Sequence, residues 1–252
     1  MANPLVSIIT PTFNCRRDLQ LTLESIRAQG DSDFELIVID GGSTDGTMDV
    51  VEENRDLIGY AISEPDQGIY DAMNKGMLQG RGFYLQFLNA GDLLYSPDTL
   101  AKVCQSLSTR RPDVLFGRFV VTDQNYEMLF DITPKEFSSY NLRTYGTGTV
   151  NHQAMFVRRK LSPLYSPRYR LKGELNWYVD IVEKNPGIHC EYVDFPIVKY
   201  KVGGAGNLAY RRNLFEWICL VQRRFGTWQN LRNIPRYKNF LKYIKNIKRY
   251  YD

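Results

Sequence analysis

Long apolar runs, paired cysteines and histidine are what this chain has least of, and each scarcity removes a class of protein. No run approaches the roughly 18 apolar residues of a membrane-spanning helix. The N-terminus reaches a strand-like stretch, Val6 to Ile9, with no basic segment and long apolar core ahead of it, so no secretory signal is expected. The four cysteines (Cys15, Cys104, Cys190 and Cys219) show no CxxC spacing, and 252 residues can bury a core without disulfide staples. They are expected to be reduced, which places the chain in the cytoplasm. The two histidines, His152 and His189, have no partner at zinc spacing. Internal repeats and low-complexity linkers are also absent.

What is present is an ordinary globular composition, 43% hydrophobic and 24% charged, with a net charge of +4 that is unevenly placed. From Arg232 to Asp252 the basic residues Arg232, Arg236, Lys238, Lys242, Lys245, Lys248 and Arg249 face one acid, Asp252. No nucleic-acid-reading motif stands in the first 230 residues, so no nucleic-acid partner is expected.

Up to about Asp123, strand and helix patterns alternate. Val6 to Thr10, Phe34 to Ile39, Ile58 to Ser63, Phe83 to Leu88 and Val114 to Val121 read as buried strands, with helical stripes such as Leu19, Leu23 and Ile26 between them. Near-continuous apolar strands in this order predict an α/β fold built on a doubly wound, mostly parallel sheet. The second half is less regular, with strands at Ala154 to Val157 and Tyr192 to Tyr200 and a helix from about Glu174 to Glu183. The reading divides residues 1–230 into a first half to 123 and a second half from 124, followed by a basic amphipathic helix over 231–252.

In an open α/β sheet, ligands sit beyond the carboxyl ends of the strands. There the chain places TPTFN (Thr10 to Asn14), IDGGSTDGT (Ile39 to Thr47), the loop with Glu64, Asp66 and Gln67, and Asn89, Ala90, Gly91 and Asp92. The glycines allow close backbone approach, while Ser43, Thr44 and Asp45 also suit plain helix capping. A buried Asp40 needs a hydrogen-bond donor, such as a base or a sugar. Lys75, in DAMNKG, reaches either a diphosphate or solvent.

The succession VSIITPTFN, FELIVIDGGSTDGT, SEPDQGIYDAMNKG and FLNAGD resembles the GT-A glycosyltransferases of family 2, especially the bacterial members that build capsule, O-antigen and other exopolysaccharides. The resemblance runs from about Val6 to Gly206. It implies a Rossmann-like nucleotide-sugar half, an acceptor half, a divalent cation (Mg2+ or Mn2+) at the DXD position, and inversion at the anomeric carbon. Pro11, Thr12 and Asn14 match the first nucleotide turn, Asp40 the acid ending the second strand, and Asp92 the last aspartate of the DXD motif. Gly41 stands where many relatives carry the aspartate that reads the uracil imide, and the DXD is reduced to one carboxylate. Glu174, after Gly173 at the opening of a helix, matches the catalytic base, with partial burial beside Trp177; a plain capping acid is the bland alternative. His152 and Gln153 match a polar pair near donor phosphate and acceptor. The Gly203, Gly204 and Gly206 cluster matches a mobile loop ahead of a basic helix, here carrying Arg211 and Arg212.

The expected activity is an inverting, hexosyltransferase-type transfer from a nucleotide-diphosphate donor, a UDP-sugar favoured, to a glycan that is lipid-linked. The expected donor contacts are Pro11, Thr12, Asn14, Asp40, Ser43, Asp66, Lys75, Asn89 and Asp92. His152, Gln153 and Trp177 are expected on acceptor or phosphate. The alternatives are a sugar nucleotidyltransferase, which calls for a glycine-rich basic phosphate loop where this chain has TPTFN, and a non-catalytic glycan-binding relative. Tyr237, Phe240, Leu241, Ile244, Ile247 and Tyr251 recur at helical spacing. That stripe suits peripheral binding to an anionic membrane on its inner face, packing on the catalytic domain, or a second copy of the chain as a homo-oligomer.

Overall fold

A computed structural model describes residues 3–30, 32–204 and 208–251; Gly206 of the glycine cluster and Asp252 lie outside them. The first strands are β1 (Val6–Thr12), β2 (Phe34–Asp40), β3 (Tyr60–Ser63) and β4 (Tyr84–Phe87). They alternate with helices α1 (Arg16–Arg27), α2 (Thr47–Glu53) and α3 (Ile69–Gln79). After β5 (Leu93–Leu94) and α4 (Thr99–Arg110) come β6 (Val114–Thr122), β7 (Met128–Ile132), α5 (Ser139–Tyr145), β8 (Met155–Arg158), α6 (Gly173–Lys184) and β9 (Cys190–Lys201). The last long element is α7 (Tyr210–Ile247).

The described residues form a nine-stranded sheet in the order β3-β2-β1-β4-β8-β6-β9-β5, with β7 paired to β6. All seven residues of β1 are buried, as expected of a strand with parallel neighbours and helices on both faces. The predicted parallel sheet holds across β3-β2-β1-β4 and again at β6–β9. It becomes mixed where β8 runs antiparallel to both β4 and β6, and where β7 and β5 pair antiparallel with β6 and β9. The β6–β7 hairpin reverses the chain once without a full crossover helix, so the next strand enters from the opposite direction.

Each face of the sheet carries its own apolar layer. Leu19, Leu23 and Ile26 of α1, Val50 and Val51 of α2, and Leu100, Val103 and Leu107 of α4 cover one face. Tyr70, Met73 and Met77 of α3, Leu175, Tyr178 and Ile181 of α6, and Trp217, Leu220 and Tyr237 of α7 cover the other. Helix α3 lies flush on β1 because Gly76 has no side chain: a Cβ there would stand 2.4 Å from Ile9 Cγ2.

The C-terminal helix is longer than predicted and is not an appendage. It starts at Tyr210 and breaks at Gly226, whose φ of 81° is a left-handed conformation suited to glycine. Residues 227–247 then double back along 210–225. The Trp217 and Tyr237 rings meet at 4.9 Å, and Asn230 Nδ2 donates to the Ile218 carbonyl at 3.2 Å. The apolar stripe of the sequence faces inward, with Ile244 and Ile247 packed beside Val121 and Val202. Among the described residues, no helix is long and apolar enough to cross a membrane.

Truncation after Asn230 removes Tyr237, Ile244 and Ile247 from buried positions. At roughly 1.5–3 kcal/mol per side chain the loss is about 6 kcal/mol, comparable to the whole stability of many domains. The shortened chain is expected to lose its cooperative urea transition; a transition at the wild-type midpoint would show that the hairpin's second half is dispensable.

Candidate active site

Parallel pairing of β1 to β4 brings their carboxyl ends to one edge, and β8, running the other way, begins at that same edge. The turns after β1 and β2 are laced to each other. Asn14, in the left-handed region at φ 46°, receives the Thr44 N–H on Oδ1 at 2.9 Å and donates its own N–H to Ser43 Oγ at 2.7 Å. Arg16 N–H donates to Asp45 Oδ2 at 3.1 Å. Pro11 and Thr12 are buried in β1, with Thr12 Oγ1 against Cys15 Sγ at 2.9 Å. What the first turn exposes instead is Phe13, 60% accessible, together with Asn14.

Asp40 is fully buried and its donors are internal: Gly42 N–H, Ser43 N–H and Oγ, and Ser63 Oγ all donate to its carboxylate at 2.5–3.1 Å. The base or sugar expected to justify it is not needed; Asp40 shapes the loop. Asp66, in the loop after β3, is half-buried. Its Oδ1 accepts the Gly68 N–H at 2.7 Å, and its Oδ2 lies 2.7 Å from where a Cβ on Gly41 would be. The same Cβ would stand 3.2 Å from the Phe13 ring. An aromatic face and a carboxylate therefore occupy the space that a side chain at position 41 would fill. Lys75 is committed elsewhere: its Nζ binds Glu64 Oε1 at 2.8 Å and the Pro65 carbonyl at 3.1 Å, bracing the Asp66 loop rather than reaching out for a diphosphate. The Glu64 hydrogen bond raises the pKa of that ammonium.

The DXD position also differs from expectation. Asp92 is 5% exposed, with Oδ2 accepting from Gln153 Nε2 at 2.5 Å and Oδ1 from the Lys201 N–H at 2.7 Å. Burial pushes its carboxyl up to about 7. Both oxygens of this enclosed carboxylate are thus bonded within the protein, and among the described residues no group of three or more His, Cys, Asp or Glu side chains could hold a metal. Gln153 is likewise fully buried and turned inward, its Oε1 accepting the Asn89 N–H at 2.7 Å. Three buried side-chain atoms at or beside this linkage have no protein partner: Gln86 Oε1, Asn89 Oδ1 and His152 Nε2. Burial lowers the His152 pKa and keeps the imidazole neutral.

Glu174 stands in the first turn of α6, half-buried, and Tyr70 at the start of α3 donates its hydroxyl to Glu174 Oε2. Gly173 permits this approach, since a Cβ there would meet the Tyr70 ring at 2.6 Å. Burial, and after it the Glu174 carboxylate, raise the pKa of the enclosed Tyr165 and Tyr178 hydroxyls. Trp177 does not reach an acceptor: it is 1% exposed, stacks on Tyr165 at 5.2 Å and donates Nε1–H to the Pro163 carbonyl at 2.7 Å. Asp180, further along α6, is paired with Arg224 at 2.8 Å.

Sequence reasoning missed the support behind Glu174. Glu216, on α7, accepts the backbone N–H groups of Arg170, Leu171 and Lys172 at 3.0, 2.8 and 3.2 Å. Lys172 is itself buried, donating to Thr147 Oγ1 at 2.8 Å and lying over the Trp217 and Phe240 rings at 5.7 and 5.8 Å. Burial lowers its pKa. No local pattern in the sequence marks Glu216. A separate hollow of about 530 Å³, lined by Phe116, Phe137, His189 and Tyr192 among others, lies by the starts of β6 and β9, away from these strand ends.

Residues 7–162 match the family model described as glycosyl transferase family 2. A PGL/p-HBAD biosynthesis glycosyltransferase of Mycobacterium bovis is 34% identical over 233 residues, 88% of this chain and 87% of that one. Among solved structures, S. aureus TarS superposes with a TM-score of 0.67 at 16% identity, over 86% of this chain and 38% of that chain. The mannosyltransferase PcManGT of Pyrobaculum calidifontis, in complex with GDP-Man and Mn2+, gives 0.64 at 17% identity, over 97% of this chain and 76% of that chain. These structural likenesses speak for the fold.

Replacing Asp92 by Ala leaves the Gln153 amide and the Lys201 N–H unpaired inside the protein. The expected loss is about 3 kcal/mol of folding free energy, read from urea unfolding. A variant as stable as wild type would remove Asp92 from its structural role.

Proposed function

The chain belongs to glycosyltransferase family 2 and is a glycosyltransferase, and from that premise we propose that it transfers a sugar from a UDP-sugar to the hydroxyl of a lipid-linked glycan, with inversion. The observation that carries the reading is the pairing, at one sheet edge, of laced donor turns with a half-buried carboxylate at a helix opening. Glu174 takes the proton of the acceptor hydroxyl as that oxygen attacks the anomeric carbon from the side opposite the leaving diphosphate. Tyr70 holds one carboxylate oxygen, leaving Oε1 for the acceptor. The site works in the cytoplasm, at the inner membrane face where a lipid-linked acceptor would lie.

Nucleobase recognition falls to Phe13 and Asp66. The exposed ring gives a stacking face, and the Asp66 carboxylate stands where an aspartate at position 41 would reach, able to accept the imide N–H of uracil. The donor in the PcManGT complex is a GDP-sugar; uracil is favoured here because guanine presents both a ring N–H and an amino group, and this carboxylate has one oxygen already bonded to Gly68.

A divalent cation belongs to this reading, as in the Mn2+ complex of the mannosyltransferase. Asn89 Oδ1 and the neutral His152 Nε2 are the unpaired buried atoms that fit it. The amide carbonyl oxygen suits Mg2+ or Mn2+ when diphosphate and water complete the shell, and the imidazole nitrogen is the softer ligand of the two. Bound there, the cation would offset charge on the departing diphosphate.

Glu174→Gln keeps shape and removes the proton acceptor. Donor binding is expected to survive while turnover falls roughly 10²-fold or more, and Asp180→Asn, which loses an ion pair to Arg224, to be milder. The reverse ranking in single-turnover assays would transfer the base role to Asp180. For the nucleobase, Asp66→Asn is expected to weaken UDP roughly tenfold in calorimetry, the loss of one charge-assisted hydrogen bond. Unchanged UDP affinity would leave the uracil without this reader.

A further inference from the structure

With the expected stripe of α7 turned inward, a second stripe is left facing solvent. Directly after the Gly226 break, Trp228 is 80% exposed, Leu231 51% and Ile234 44%. At about 100° per residue, Trp228, Leu231, Lys238 and Lys242 fall on the side of the helix away from the buried Tyr237 and Ile244. The face thus begins apolar at the hairpin tip and continues basic. Lys238, Lys242 and Lys245 are all exposed, and from Trp217 to Tyr251 the chain contains no Asp or Glu. The acids that meet α7 from α6, Asp180 and Glu183, are taken up by Arg224, on the other limb of the hairpin.

We propose that this outer face of the hairpin docks on an anionic lipid bilayer, with Trp228 and Leu231 entering the interface and Lys238, Lys242 and Lys245 meeting headgroup phosphates. The proposal rests on the reading of a lipid-linked acceptor and adds the surface that would hold the enzyme beside it. Charge complementarity selects the occupant. A two-fold pairing of this face with itself would set lysines against lysines if parallel, or against Trp228 and Leu231 if antiparallel, whereas an anionic surface meets the lysines with opposite charge. Tryptophan suits the headgroup level because its ring is apolar and its N–H polar. A contiguous exposed apolar tip bordered by charge is also the pattern of an interaction site and not of ordinary surface.

Full-length protein is sedimented with vesicles of phosphatidylcholine carrying about one-third phosphatidylglycerol, and with phosphatidylcholine alone, at low and high salt. Binding is expected only to the anionic vesicles at low salt. It should weaken about fivefold for each of Lys238→Ser, Lys242→Ser and Lys245→Ser, and be lost in the Trp228→Ser/Leu231→Ser double variant. All of these positions are exposed, so melting temperature and transfer to a soluble acceptor mimic should stay at wild-type values. Equal sedimentation of wild type and variants, equal binding to neutral vesicles, or a wild-type dimer that the double variant converts to monomer would overturn the proposal. Vesicle binding is read without donor or acceptor, so it stands or falls separately from the transferase reading.

Discussion

The side-chain amide of Gln153 is the joint on which the two halves of this protein depend. Strand β4 ends the parallel half and β8 opens the mixed half, yet the two strands share only the register pairs Tyr84 with Arg158 and Leu85 with Val157. Side chains extend that short seam. Gln86 Nε2 donates to the Gln153 carbonyl at 2.9 Å, the Gln153 amide spans from the Asn89 N–H to Asp92, and Asp92 passes the connection to β9 through the Lys201 N–H. Lys201 in turn binds Asp18 at the start of α1, at 2.5 Å. Each of these groups would carry an unpaired polar atom if its neighbour were lost, so the joint holds as a unit. It also sets where Asn89 and His152 stand.

The strands of the first half were legible because a strand buried on both faces must be apolar throughout, and Val6 to Ile9 or Leu36 to Ile39 can be little else. The turns that form the donor edge were legible for a similar reason, since glycine, serine and aspartate gather where the chain leaves a strand for a helix. Partnership was not legible. Asp40 looked like a ligand contact because a buried carboxylate needs donors, and sequence alone does not show that Ser63, 23 residues on, supplies one. Asp92 is explained by residues 61 and 109 positions away. Gly41, which reads as a missing aspartate, is where Asp66 comes in from a neighbouring loop. The stripe in the C-terminal helix was visible, but the direction it faces is decided by one left-handed glycine at 226.

The site is therefore assembled from two kinds of support. The edge at the ends of β1 to β3 is stiffened locally, by turns that hydrogen-bond to each other within the first 70 residues, with Lys75 bracing the Asp66 loop. The carboxylate at 174 is held from afar, through three backbone amides gathered by Glu216 and an ammonium enclosed between two rings. The two halves meet along a broad seam: beside the Gln153 joint, Asn74 Nδ2 donates to the Tyr165 carbonyl at 3.0 Å, Tyr70 donates to Glu174, and Arg170 donates to the Gln67 carbonyl at 3.0 Å.

The clasp on residues 170–172 also fixes an order of events in the life of the chain. Its amides have no carboxylate to receive them until residue 216 has been made, and Lys172 lacks one wall of its cage until residue 240 follows. Domains form as their segments emerge from the ribosome. The nucleotide edge can close early, but the loop that carries Glu174 must wait, its polar groups in water, for the hairpin to fold back over it. During synthesis, then, the edge of the parallel strands is complete well before the loop ahead of α6 has anything to rest on.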